Sequence, residues 1–232
     1  MNRPTSVIKG QRVAIIGAGV SGLGIGWRLA QAGCHVTIFD RGEAGRGASW
    51  AAAGMLAARA EAEPGEEALL SLNLQAQKLW PAFTKELEAA SGRTIGYRDE
   101  GTLIVAPTRD DAEQLRFTYE YQKSQGLDVH WLNAAEVRRR EPYLAPGLSG
   151  GVFSPGDHQV DNRELSLALK AAFLAAGGEL HEHMAVDGLA LGPGGRSQRR
   201  ISELPGGHLA TTDTVTAGRG FVRCAPSNRE AT

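Results

Sequence analysis

Residues 13–40 constrain the fold more than any other stretch of the chain. They read VAIIGAGVSGLGIGWRLAQAGCHVTIFD. The apolar run 13–16 predicts a buried parallel strand. It runs into Gly17-Ala18-Gly19-Val20-Ser21-Gly22, a glycine turn opening a helical segment that Gly33 stops. A second apolar run, 35–39, ends on Asp40. Strand, glycine turn, helix, strand and acid in this order are the layout of a dinucleotide-binding unit. Gly17 permits the tight turn, Gly19 lets backbone approach a pyrophosphate, and Gly22 lets the helix pack closely on the sheet. The free N–H groups and dipole at the helix N-terminus then face the phosphates. The Asp40 carboxylate can accept hydrogen bonds from ribose hydroxyls. A glycine turn used only for packing does not call for the second strand and its acid. A membrane helix needs a long unbroken apolar run, and residues 13–32 are interrupted by glycines and Arg28.

With 232 residues the chain has room for one large domain or two small ones. Hydrophobic residues at 42% and charged residues at 22% are ordinary for a soluble globular protein. A net charge of −1 argues against nucleic acid or an anionic membrane as partner. The two cysteines, Cys34 and Cys224, give neither a disulfide framework nor zinc spacing. The start, MNRPTSVIKGQR, lacks the apolar core of a signal peptide, so the expected location is the cytoplasm.

Residues 41–55, RGEAGRGASWAAAGM, are nearly all small. A nicotinamide dehydrogenase would continue with another strand–helix unit. Gly, Ala and Ser in a row suit backbone lying against a large planar ligand with amides aimed at it, which points to a flavin. A flexible surface loop would leave the apolar run 51–56 in water.

On these two stretches, GAGVSGLGIGWRLAQAG and FDRGEAGRGASWAAAGMLAARAEAE, the chain resembles the amino-terminal region of the FAD-dependent amine oxidase (D-amino acid oxidase) family. The likeness is strongest to its glycine oxidase branch in thiamine biosynthesis, which has a similar SAAAGML run. It covers about residues 10–191. The resemblance implies FAD as cofactor and an α/β fold: a Rossmann-like domain with a parallel sheet, interrupted by part of an α+β substrate domain. It places the first FAD-binding segment at 10–90, the partial substrate domain at 91–153 and the second FAD-binding segment at 154–191. It assigns Gly17, Gly19, Val20, Ser21 and Gly22 to the phosphate turn and Asp40 and Arg41 to the adenosine ribose. Ala48 and Ser49 fall on the pyrophosphate side, Ala53, Gly54 and Met55 at the flavin, and Val186 beside the adenine. Asp40 stands where flavin members commonly carry glutamate, one methylene longer.

In the resembled enzymes a small amino acid such as glycine or sarcosine passes a hydride to the flavin. Oxygen reoxidises the flavin to give hydrogen peroxide, and the imine hydrolyses to an oxo acid and ammonia. Protein supplies orientation and electrostatics. No catalytic side chain is named on this basis, and a homo-oligomer is compatible with the sequence.

The remaining chain reads as a coarse series of elements. A helix with an apolar stripe of Leu69, Leu72, Ala76, Leu79, Phe83, Leu87 and Ala90 is expected to kink or restart at Pro81 and to end at Ser91-Gly92. Strands are expected at 94–97, 101–106, 129–132, 151–153, 159–160 and 180–186. Capping boxes at Thr108–Asp111 and Asn133–Glu136 open helices, and Asp161-Asn162 cap another over 163–176. Arg138-Arg139-Arg140 suits a helix C-terminus, where cations are favoured, better than an anion site. His181 and His183 share a strand face without a third metal ligand, so no metal is expected.

From Gly192 the chain is rich in glycine and poor in apolar residues, and residues 192–232 are expected to form an irregular, disordered tail or the product of a shifted frame. Within it, residues 213–218 faintly resemble a flavin-side strand. Two further readings compete with the amino acid oxidase. One is a catalytically incompetent FAD-binding fragment. The other is a flavin dehydrogenase with a different electron acceptor.

Overall fold

The computed structural model describes residues 9–191, 197–201, 210–211 and 214–217. The elements begin β1 (Arg12–Ile16), α1 (Val20–Gln31), β2 (His35–Phe39), α2 (Ala48–Ala51), β3 (Met55–Leu56) and α3 (Glu67–Ser91). They continue β4 (Thr102–Ala106), α4 (Arg109–Ser124), β5 (His130–Leu132), α5 (Ala134–Arg140), β6 (Gly150–Ser154) and β7 (His158–Gln159). The described part ends with α6 (Asn162–Ala175), β8 (Glu179–His181), β9 (Val186–Leu191), β10 (Ser197–Ile201), β11 (Ala210–Thr211) and β12 (Thr214–Ala217). They fall into two compact units. The first takes the chain up to Ala52, Leu87–Thr94, and everything from Asn162 onward; the second takes Ala53–Glu86 and Ile95–Asp161. The chain therefore passes between the units after Ala52, Glu86, Thr94 and Asp161.

The first unit is built on a parallel sheet ordered β12-β1-β2-β8. The apolar run of β1 buries Val13, Ala14 and Ile15, as a strand covered on both faces must. Helix α1 packs through Gly22, Leu23, Gly26 and Trp27, spaced along one face. A Cβ on Gly26 would lie 2.7 Å from Ile38 and 3.2 Å from Phe173, so glycine sets how closely α1 approaches both the sheet and α6. Phe173 on α6 is fully buried.

The second unit centres on an antiparallel sheet ordered β4-β6-β5. Ala62, Leu70, Leu127, Val129 and Val152 form its core, with Leu74, Leu115, Tyr119 and Trp131 packed around them. Both expected capping boxes form: Thr108 with Asp111 at α4, and Asn133 with Glu136 at α5. A two-stranded antiparallel pair, β3–β7, sets Met55 against Gln159 and Leu56 against His158.

Four expectations change. Helix α3 runs through Pro81 without restarting, and the stripe that faces inward is different. Leu69, Leu72 and Leu79 are exposed, while Leu70, Gln77, Thr84 and Leu87 are buried. Leu87 belongs to the expected stripe and Phe83 is half-buried, but two of the four buried positions are polar, so apolar periodicity finds the inward face only toward the end of the helix. Residues 94–97 form no strand; the neighbouring Arg98 makes a single bridge to Gln159. The strand expected over 180–186 stops at His181, because His183 adopts φ 55° and turns the chain into β9, which pairs antiparallel with β10. Finally, the stretch expected to be an irregular tail contains strands. β12 adds to β1 in parallel register, Val13 opposite Thr214 through Ile16 opposite Ala217. Its Thr-Val-Thr sequence carries β propensity without much hydrophobicity. Residues 218–232, to which the disordered or frame-shifted reading also applied, lie outside the described residues, as do residues 1–8.

Candidate cofactor site

The glycine turn between β1 and α1 is as tight as its spacing demands. Gly17 sits at φ 101°, where a side chain would be strained. A Cβ on Gly22 would fall 1.9 Å from the Gly17 carbonyl oxygen, an impossible contact. A Cβ on Gly19 would crowd Ser49 Oγ at 3.2 Å. At a helix start the first amides have no intrahelical acceptor. Here the Val20 N–H donates to Ser49 Oγ (2.9 Å), and the Leu23 N–H returns to the Gly19 carbonyl (2.9 Å). The Ser21 and Gly22 amides have no acceptor among the described residues. Ser49 Oγ, having accepted from Val20, still has its own proton to donate.

Asp40 lies at the carboxyl end of β2 and closes on this turn. The Ala18 N–H donates to its Oδ2 (2.7 Å) and the Gly42 N–H to its Oδ1 (2.9 Å). Each carboxylate oxygen thus keeps accepting capacity. Arg41 is exposed. Gly45, at φ 76°, donates its N–H to the Ala18 carbonyl and lies against Ser166, where a Cβ would come within 2.8 Å. The structure thus brings the glycine turn, Asp40 and Ser49 together.

The small-residue run folds differently from plain extended backbone. Residues 48–51 form the single turn α2, and Asn162 Nδ2 donates to the Ser49 and Trp50 carbonyls (2.7 and 3.0 Å). The guanidinium of Arg46 stacks over Trp50 at 3.8 Å. Ala48, Ala51 and Ala52 are exposed. In the second unit, Ala53 is exposed, Gly54 takes φ 77° and accepts from the Val160 N–H (2.9 Å), and Met55 is 55% exposed. Val186 opens β9, two residues beyond Met184, whose N–H donates to the Asp40 carbonyl (2.7 Å).

Two polar assemblies were missed in the sequence. Glu182 accepts from the Ala44 N–H (2.7 Å) and from Lys170 Nζ at both oxygens (2.8 Å). Burial pushes its carboxyl up, but the Lys170 ammonium and the Ala44 amide outweigh that and hold it below its ordinary value. In the second unit, fully buried Asp157 accepts from the Arg59 N–H (3.0 Å), the Ala60 N–H (2.7 Å) and Gln77 Nε2 (3.2 Å). Arg59 Nη1 donates to Gln77 Oε1 and to the Gly156 carbonyl. This cluster anchors the chain that follows Met55. Beside it, Tyr97 Oη and His158 Nδ1 are hydrogen-bonded at 2.6 Å, and burial together with Asp99 raises the Tyr97 phenol. The partners in both assemblies are too distant in sequence for any spacing rule to reveal them.

A parallel sheet, a glycine turn capped by a helix and an acid closing on that turn define a dinucleotide-binding α/β protein. The family model described as DAO, FAD dependent oxidoreductase, matches residues 12–225, and the chain belongs to that family. Its match runs well past residue 191, where the likeness was expected to end. The glycine oxidase of Geobacillus kaustophilus is 37% identical over 211 residues, covering 90% of this chain and 55% of that protein. Its crystal structure superposes with a TM-score of 0.83 at 35% identity, covering 90% of this chain and 56% of the other. The bifunctional protein ThiO/ThiG of Trichormus variabilis is 36% identical over 177 residues, covering 76% of this chain and 26% of that protein. The chain spans about half the length of the glycine oxidases it matches. Among the described residues no helix is long and apolar enough to cross a membrane.

Proposed function

We propose that this chain forms the FAD-holding part of an oxidase acting on the C–N bond of a small amino acid, of the glycine or sarcosine type, with oxygen as acceptor and a role in thiamine biosynthesis. The observation that carries the reading is the link between Val20 and Ser49. It joins the phosphate-type helix start to a run of exposed small residues, an arrangement suited to a ligand with an anionic middle and a planar end.

In this reading the Ser21 and Gly22 amides and the Ser49 hydroxyl would meet the pyrophosphate, with Gly17 and Gly19 leaving room for it and Val20 and Ala48 bordering it. Asp40 would accept the ribose hydroxyls with the capacity left after Ala18 and Gly42, Arg41 standing beside it. Val186 would border the adenine. Ala53, Gly54 and Met55 would lie along the flavin. FAD, when bound, supplies the two-electron chemistry. The chain's own residues would bind and orient it. The name of the glycine oxidase supports the amino acid substrate, and that of a Rhizobium etli relative, which carries the words thiamine biosynthesis oxidoreductase, supports the thiamine role.

Purified protein should be yellow, and added FAD should raise its melting temperature. It should release hydrogen peroxide with glycine or sarcosine. Colourless protein unaffected by FAD would overturn the cofactor reading. Yellow protein that makes no peroxide would leave a cofactor-binding chain without oxidase activity, and dye reduction without oxygen consumption would indicate a dehydrogenase.

A further inference from the structure

We infer that Glu182 and Lys170 are positioning residues for Asp40, holding the backbone that carries it so that its carboxylate meets the adenosine ribose. The inference rests on the proposed FAD site. Asp40 is a short acid. Compared with glutamate it has one fewer rotatable bond with which to correct a misplaced backbone, so the placement of residues 40–44 sets its reach. That segment is pinned on one side by residues 181–184. The Asp40 N–H donates to the His181 carbonyl (2.9 Å), the Met184 N–H to the Asp40 carbonyl (2.7 Å) and the His183 N–H to the Gly42 carbonyl (3.1 Å). The Ala44 N–H completes the set by donating to Glu182 Oε1 (2.7 Å).

These bonds require the chain to reverse just after β8. His183 does so at φ 55°, the one non-glycine residue at positive φ among those described. Such a conformation costs free energy and persists where its surroundings hold it. Glu182, the residue before it, is tied from the other side by Lys170 on α6. The helix that packs on α1 thereby clamps the turn whose amides hold the Asp40 loop. Neither Glu182 nor Lys170 shares a hydrogen bond or ion pair with the Asp40 carboxylate, whose partners are the Ala18 and Gly42 amides; both act through backbone.

The test measures binding of FAD, and separately of ADP, to the full chain by titration calorimetry well below its melting temperature. Glu182→Gln and Lys170→Met should each weaken both ligands about tenfold, the scale of one lost charge-assisted hydrogen bond. Lys170→Arg should stay within about twofold of wild type, and the double variant should be little weaker than either single one, as expected for a coupled pair. Lys170→Met carries the test if Glu182→Gln fails to fold. A lowered melting temperature of the ligand-free protein with unchanged affinities would mean a merely structural role and overturn the inference. Asp40→Ala separates the two levels. If it weakens FAD and ADP while Glu182→Gln and Lys170→Met do not, the positioning inference alone falls. If Asp40→Ala leaves both affinities unchanged, the site itself is wrong and the inference falls with it.

Discussion

The Asp40 carboxylate accepts the Ala18 backbone N–H at 2.7 Å, joining the end of the second strand to the middle of the glycine turn. One side chain therefore serves two ends. It braces the turn, and it keeps lone pairs for a ribose. Asp40→Asn replaces one accepting oxygen by an NH₂ that faces a donor. It should destabilise the ligand-free protein by about 1–3 kcal/mol and weaken FAD as well. Chemical denaturation with and without FAD measures both effects. Full stability with full affinity would contradict the dual role.

Gly22 and Gly24 both lie in α1, and the structure separates them sharply. A Cβ at Gly22 would meet the Gly17 carbonyl oxygen at 1.9 Å, whereas one at Gly24 would meet nothing within 4 Å. Gly22→Ala must push α1 off the sheet, at a cost of about 3 kcal/mol or more, and should abolish FAD binding. Gly24→Ala should be neutral or stabilise by about 0.5–1 kcal/mol through helix propensity. Thermal melts of the two variants decide it; equal behaviour would show that the turn is looser than described.

Asp157 makes a comparable contrast in the second unit. It is wholly buried, with Arg59, Ala60 and Gln77 all donating to it. Asp157→Ala leaves the Arg59 and Ala60 amides unpaired and Arg59 without its counter-charge, while Gln77 keeps the Leu56 carbonyl. The expected loss is about 3–5 kcal/mol. The double variant Asp157→Leu/Arg59→Met should recover part of it, because both charges are then removed together. Urea midpoints measure both; a milder single variant than double would contradict the buried-network account.

What the sequence revealed and what it hid divide along the length scale of the interactions. The β1–α1–β2 unit was legible because each step is local: apolar run, glycine, helix, apolar run, acid. The Thr108–Asp111 and Asn133–Glu136 boxes were legible because capping partners are three residues apart. The buried face of α3 was not, because Gln77 is drawn inward by Asp157, a residue 80 positions away. β12 was only faintly legible, since its place beside β1 depends on register across nearly the whole chain. The break at His183 was hidden too, because a strand pattern extends through it while hydrogen bonds to Asp40 and Gly42 turn it aside. Of the candidate site, glycine spacing gave the turn, but the Ser49–Val20 link and the Glu182 anchor belong to tertiary structure.

The Glu182 anchor also makes stability depend on pH. Burial works against its charge, and the Lys170 ammonium with the Ala44 amide more than compensates, so its carboxyl in the folded protein titrates below its ordinary value. A depressed acid binds fewer protons folded than unfolded just above its folded value, so stability rises with pH there. The contribution is complete above the unfolded carboxyl value of about 4.3 and disappears as pH falls through the lower folded value. With side chains about a quarter exposed at both ends of the pair, solvent screening keeps it to about 1 kcal/mol. Glu182→Gln should therefore lower stability at pH 7 by roughly that amount. The gap between variant and wild type should close as pH falls below about 4. Urea denaturation of both proteins from pH 7 to 3 reads the gap directly, and a difference that persists undiminished at the acid end would show that the carboxylate charge is not what holds the Ala44 amide.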